Sequence, residues 1–451
     1  MSIQNGLEQQ REVAKQLVSE YLDGGMSRRD MLKRAGALGL SVPVLTAALG
    51  ARGAVGQTPV ASPAGEEAPL ELGDWSGQTL SVSIALAESE AQVFDEVLVS
   101  KFREMTGGEI EVAQIEAQDV INTLGAQVES GNVQIDLVMQ DNNSLAPLVD
   151  GGLVEELPEA EEVMPPQTIE ALKEVLQFDG TYYFLPGNPN VQITYYNSAK
   201  FEEYGVEPPT TWDDLMSVAQ TIQENAGVGQ VSVQGVAGGA VGVTCTQFLW
   251  QAGGDPLEIN NEAGATAFQF LQDLKPYLTP QYPTATFDTT NTYILNESVV
   301  LAQNWPFGVN VIVDEGGKTE VLTYPGWEGP AGNALVLGGT VFGVVKGSER
   351  RDMALDFVKL WMSKDVQEAF TARNGWASMR DDALGAVEDW QQPYFQTVTE
   401  ALAVTKPRPN VTYWVDVENI LTNAFNDIVT GGAPVQETLD RYQEEINALQ
   451  G

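Results

Sequence analysis

Residues 180–222 read GTYYFLPGNPNVQITYYNSAKFEEYGVEPPTTWDDLMSVAQTI. Asp179-Gly180 is a turn signal, and the aromatic run Tyr182-Tyr183-Phe184 follows it. Pro186, Gly187 and Pro189 then argue against a helix or a central strand. A second β-type run, Val191 to Tyr196, leads to a helix start at Asn197-Ser198. Beyond Pro208-Pro209, Thr210-Thr211 supply an N-cap for a helix with Trp212, Leu215, Met216, Ala219 and Ile222 at helical spacing. Two strands are thus expected around a stiff polar connector that stays out of any core, either as a surface loop or as a hinge between two lobes.

Working outward on the N-terminal side, strand and helix patterns alternate. A strand at 79–85 is followed by a loop with Glu88-Ser89-Glu90 and a helix at 91–105. A strand at 110–112, a helix at 119–130 and a buried-type strand at 135–139 come next, the last ending at Gln140-Asp141-Asn142-Asn143. This βαβαβ order predicts a parallel or mixed sheet covered by helices, with ligands beyond the strands' carboxyl ends. On the C-terminal side, residues 229–243 read as a strand and a flexible turn, and 247–254 as a helix ending in Gly-Gly. A return crossing is expected near 318–324, and Gly338-Gly339 before a strand would let backbone approach a ligand closely. The chain ends in a helix at 434–449.

Composition bounds the function. The 451 residues hold 23 basic and 63 acidic side chains, a surface that would repel nucleic acid and anionic lipid. Histidine is absent, which removes His-based triads, metal ligands and acid–base chemistry. The single cysteine, Cys245, excludes an intramolecular disulfide and reads as a small buried residue. No P-loop, nucleophile elbow or zinc-protease motif occurs, and no cofactor or metal is expected. Arg28-Arg29 before the apolar run 35–49 has the form of a twin-arginine export signal, with Met31 where such signals often have Phe. Cleavage would fall before Gln57, and residues 57–74 read as a Pro-, Ala- and Glu-rich disordered linker.

The quoted stretch resembles the signature of extracellular solute-binding proteins of ABC transporters, in the sugar-binding family that includes maltose- and trehalose-binding proteins. Tyr195-Tyr196-Asn197 and Pro208-Pro209-Thr210-Thr211-Trp212-Asp213-Asp214-Leu215 carry the likeness, and further segments extend it over roughly residues 78–450. The resemblance implies an α/β, two-lobed periplasmic-binding-protein-like fold of type II, each lobe a mixed sheet covered by helices, joined by hinge crossings. Lobe 1 would hold residues 75–187 and 320–378, and lobe 2 residues 188–319 and 379–451. It also implies a monomeric binder, not an enzyme, outside the cytoplasm, that closes on a di- or oligosaccharide and delivers it to permease subunits after export by the Tat machinery.

Sugars present apolar ring faces and many hydroxyls, so their sites combine aromatics with carboxylates, amides and arginine. The candidates are Trp250, Trp305, Trp376, Tyr413 and Trp414 for stacking, and Glu88, Asp141, Asn188, Gln303 and Arg380 for hydrogen bonds. Gly338 and Gly339 would offer backbone, while Trp212 is expected to pack structurally. Taken singly, each Trp is as well explained by a core or surface position. Two other readings stay open: a glycoside hydrolase, which would need two positioned carboxylates, and the same scaffold binding a polyamine.

Overall fold

The computed structural model describes residues 70–450 apart from 85, 87, 116, 237–238 and 384–386. Arg28, Arg29 and most of the expected linker lie outside the described residues.

The first sheet has six strands. Strand β1 (Thr79–Ile84) pairs in parallel with β2 (Glu109–Gln114) and β3 (Leu137–Asp141). Helices α1 (Glu88–Phe94) and α2 (Ser100–Thr106), joined through one π-helical turn, connect β1 to β2, and α3 (Ala117–Ser130) connects β2 to β3. After β3 and α4 (Ala146–Asp150) comes β4, Leu185–Val191. It is the expected connector itself, and it is a strand buried at every position but Asn190. The prolines are tolerated because β4 is bonded only to one neighbour, a later strand, so a missing N–H can face the unpaired side. Burial follows because that neighbour is central to the sheet.

The chain leaves this sheet at Gln192. Strand β5 (Ile193–Asn197) belongs to a second, four-stranded sheet. Asn197 caps α5 (Ser198–Tyr204), its Oδ1 accepting from the Lys200 amide at 3.0 Å. Thr211 and Asp214 form a reciprocal capping box on α6 (Trp212–Ala226). Strand β6 is only Val231–Ser232, and the Gly/Val-rich run expected as a flexible turn instead enters α7 (Gly239–Gln251), buried at nearly every described position. An all-round apolar run forms a helix when it is enclosed on every side. Helices α8 (Glu262–Leu274) and α9 (Phe287–Leu295) precede β7 (Leu301–Asn304). Strand β8 (Val321–Tyr324) still pairs antiparallel with β5, so the return crossing follows it, at residues 325–334, rather than at 318–324.

Strand β9 (Leu335–Val344) then inserts into the first sheet, antiparallel to both β3 and β4. Helices α10 (Arg351–Trp361), α11 (Lys364–Asn374) and α12 (Gln392–Leu402) follow, and β10 (Thr405–Lys406) pairs with the start of β9. Met379, Tyr394, Val398 and Leu402 pack in the core of the first sheet with Phe94, Phe102 and Trp361. A second core gathers Trp212, Phe248, Phe268 and Trp327 with side chains of α13 (Trp414–Phe425) and α14 (Val435–Leu449).

Candidate functional site

A cavity of about 270 Å³ opens where the carboxyl end of β3 and the middle of β9 meet elements of the second sheet. Backbone geometry shapes its floor. Between Gly339 and Val341 the register of β9 against β4 shifts, and Gly339 has φ +108°. A Cβ there would stand 1.9 Å from the Asn188 carbonyl oxygen, so no side chain fits. At Gly338 a Cβ would stand 2.7 Å from the Trp305 ring. The bare glycine lets an indole carried by the other sheet lie against β9.

Two tryptophans line the cavity, Trp305 carried by the second sheet and Trp376 packed on the core of the first. Trp305 follows β7, its carbonyl accepts from the Tyr195 hydroxyl at 2.9 Å, and its ring meets Phe287 edge-on at 5.7 Å. Trp376 follows α11, packs against Phe370, and donates from Nε1 to Glu90 Oε1 at 3.0 Å. Both are half-buried. Polar groups surround them: Thr340 Oγ1 donates to Asn188 Oδ1 at 2.7 Å, and Asp141, Asn143 and Asn190 also face the cavity.

The cation of the site is Arg408, on the segment between β10 and α13. Its Nη2 donates to Asn142 Oδ1 at 2.8 Å and to Asp141 Oδ1 at 3.2 Å, both at the end of β3. Its Nη1 lies 3.6 Å from Glu418 Oε1 on α13. Arg408 and Glu418 are nearly fully enclosed, at 6% and 5% side-chain exposure. Burial pushes the Glu418 carboxyl above its ordinary value of 4.5, with Arg408 pulling the other way.

Of the residues expected from sequence, Asp141, Asn188, Trp305, Gly338, Gly339 and Trp376 come together around this cavity. Glu88 opens α1, but its side chain is outside the described residues. Arg380 is placed elsewhere: 1% exposed, it donates to Asp382 at 2.8 and 3.0 Å and to the Met362 carbonyl at 3.1 Å. A carboxylate two residues along captures it within its own layer. Trp414 is 2% exposed in the second core, as befits the first residue of an enclosed helix. Gln303 is buried, its Oε1 accepting from Gln247 Nε2 at 2.9 Å. Trp250 lies apart from the cavity with Lys406 Nζ 6.0 Å above its ring, and Tyr413 lines a separate recess with Tyr183 and Asn410. Sequence reasoning passed over Arg408, Thr340, Asn190 and Phe287. Arg408 directly precedes Pro409, and its partners Asp141 and Asn142 lie too far away in sequence for a local signal to find them.

Among the described residues no helix is long and apolar enough to cross a membrane, and no three Asp, Glu or Cys side chains are grouped to hold a metal ion.

Residues 97–396 match the family of bacterial extracellular solute-binding proteins. An arabinooligosaccharide-binding protein of Halalkalibacterium halodurans is 24% identical over 83% of this chain and 90% of its own length. Among solved structures, a maltose-bound MalE3 of T. maritima superposes with a TM-score of 0.73 at 21% identity, over 82% of this chain and 99% of its own. UgpB of Mycobacterium tuberculosis, in complex with glycerophosphocholine, gives 0.70 at 16% identity over 83% and 98%. The fold is therefore the two-lobed one, with the cavity at the junction of the lobes.

Proposed function

We propose, since the chain belongs to the bacterial extracellular solute-binding proteins, that it is the receptor of an ABC importer and binds a di- or oligosaccharide in the interlobe cavity. The observation that carries this reading is the pair Trp305 and Trp376, offered from opposite lobes, with Asp141, Asn143, Asn188 and Asn190 among them. Aromatic faces suit the C–H faces of pyranose rings, and carboxylate and amide groups suit hydroxyls, which both donate and accept. The similar arabinooligosaccharide-binding protein and maltose-bound structure support the same class. A polyamine is disfavoured, because the relatives and solved structures that the chain resembles include binders of arabinooligosaccharide and maltose.

Binding would proceed without chemistry. Ligand touching both lobes stabilises the closed state by its differential affinity, and the closed form is presented to membrane permease subunits. Gln192, residues 325–334 and residues 407–413 are the crossings about which the lobes would turn. In this reading the bounds expected from sequence shift with the strands, so that lobe 1 holds residues 75–191 and 335–406 and lobe 2 holds residues 193–324 and 414–450. The packing of Met379, Tyr394 and Leu402 with the first core supports giving 379–406 to lobe 1 as well. The protein would work as a monomer outside the cytoplasm, exported through the Tat route by Arg28 and Arg29.

Thermal unfolding of residues 57–451 against neutral sugars and spermidine tests this. A ligand at a hundred times its Kd adds ~2.7 kcal/mol of stability. A rise in midpoint with a neutral di- or oligosaccharide, lost in Trp305→Ala, is the expected result. A rise with spermidine and with no sugar would overturn it.

A further inference from the structure

Trp305 and Phe287 both line the cavity, and their rings meet edge-on at 73° with centroids 5.7 Å apart. They come from different elements, the end of β7 and the start of α9. One side chain ties their backbones together. Asn304, the last residue of β7, is fully buried. Its Oδ1 accepts from the Trp305 amide at 2.9 Å, and its Nδ2 donates to the Phe287 carbonyl at 2.8 Å and to Asn291 Oδ1 at 2.6 Å. These partners settle which end of the amide faces which, since a backbone N–H only donates and a backbone carbonyl only accepts. Both amide hydrogens and the oxygen are engaged, so the group is buried at little cost. Trp305 is held a second time, its carbonyl accepting from the Tyr195 hydroxyl at 2.9 Å. Gly308 makes room for this frame: a Cβ there would stand 2.7 Å from Asn291 Oδ1 and 3.0 Å from the Tyr195 hydroxyl oxygen.

A leucine at position 304 would fill much the same space, so packing alone does not call for an amide. What the amide adds is a fixed relation between two segments, because a satisfied buried network has one arrangement where an apolar contact has several. We propose, resting on the sugar-binding reading, that Asn304 is the positioning residue of this site: it sets Trp305 and Phe287 as one rigid aromatic corner against which a pyranose of a neutral di- or oligosaccharide stacks. Asn304 is enclosed and does not itself line the cavity, so it acts through the two rings. Rings that are already fixed stack on a sugar without a further cost of ordering them.

The test measures binding of maltose, maltotriose and arabinotriose to the protein by calorimetry, for the unsubstituted chain, Asn304→Leu, Trp305→Ala and the double variant. Asn304→Leu should weaken binding roughly tenfold. In the Trp305→Ala background the same change should cost about threefold or less, because most of its effect runs through that ring. Equal losses in the two backgrounds, as a merely structural role would give, or no loss from Asn304→Leu, overturns the proposal. Asn304→Ser takes the place of the leucine variant if that one does not fold. Fluorine NMR of the ligand-free protein labelled with fluorotryptophan gives a reading that needs no sugar. The Trp305 line, identified by its loss in Trp305→Phe, should be single and narrow in the unsubstituted protein and broadened or split in the Asn304 variant. An unchanged line overturns the proposal whether or not a sugar binds. Failure of every sugar probe would count against the sugar-binding reading, while the fluorine line still decides the role of Asn304.

Discussion

Two arginines show what one side chain can and cannot reveal. Arg380 and Arg408 are both almost wholly enclosed. Arg380 is held by Asp382, whose carboxyl the guanidinium keeps below its ordinary 3.8. Arg408 is held by groups 267 and 10 positions away, at Asp141 and Glu418, and no local pattern could announce that. Asp382→Asn is expected to cost about 2 kcal/mol in urea unfolding at neutral pH, since it strips a buried cation of its charged partner. A folded carboxyl pKa below the unfolded one contributes stability above the unfolded value and loses it as pH falls through the folded one. The Asp382→Asn deficit should therefore shrink on acidification below about 3.8. Glu418 has the opposite sign. Its raised pKa makes its stability contribution complete below 4.5 and lost as pH rises through the folded value, so Glu418→Gln should flatten unfolding free energy against pH in that window. For the aromatics, Trp305→Ala and Trp376→Ala should each weaken sugar binding roughly tenfold, read by calorimetry.

Among the elements, start signals were legible and enclosures were not. Thr211 and Asp214 cap α6 where the sequence places a cap, because a capping box is written within four residues. Thr211→Ala should lower stability by about 1 kcal/mol in denaturant titration. The segment Leu185–Val191 misled because proline arguments are arguments about hydrogen bonding on both sides of a strand. The sequence does not say that only one side is paired. The same limit hid α7, whose Gly/Val run is helical only because neighbours cover it all round. The Gly338-Gly339 pair was read as backbone that a ligand could approach; it lies inside β9 rather than ahead of it, and what comes close to it here is the Trp305 ring and the Asn188 carbonyl. Gly339→Ala should destabilise by about 2–4 kcal/mol, since positive φ and a backbone collision at 1.9 Å act together. An unchanged midpoint in that variant would mean that the strand can relax away from Asn188.

For the whole molecule, the two-lobed architecture was legible through resemblance and the first crossing falls at Gln192, at the end of the connector read as a surface loop or a hinge, while the return crossing near 318–324 was misplaced because it is set by which sheet each strand joins. The formal charge of −40 predicts self-repulsion. Raising salt so that the Debye length shrinks from ~30 Å to ~3 Å should lift the thermal midpoint, and neutralising clusters of surface Glu should reduce that dependence. The insertion of β9 between β3 and β4 has a consequence for how the chain is made. The ribosome delivers β1, β2 and β3 first, yet the strand that seals β3 on its open edge emerges only at residues 335–344. At ~5–20 residues per second that gap lasts roughly ten to forty seconds. For that interval the nascent first sheet presents an unpaired strand edge beside the still-growing second one, so synthesis itself has a window in which holdase chaperones and partner chains compete for that edge.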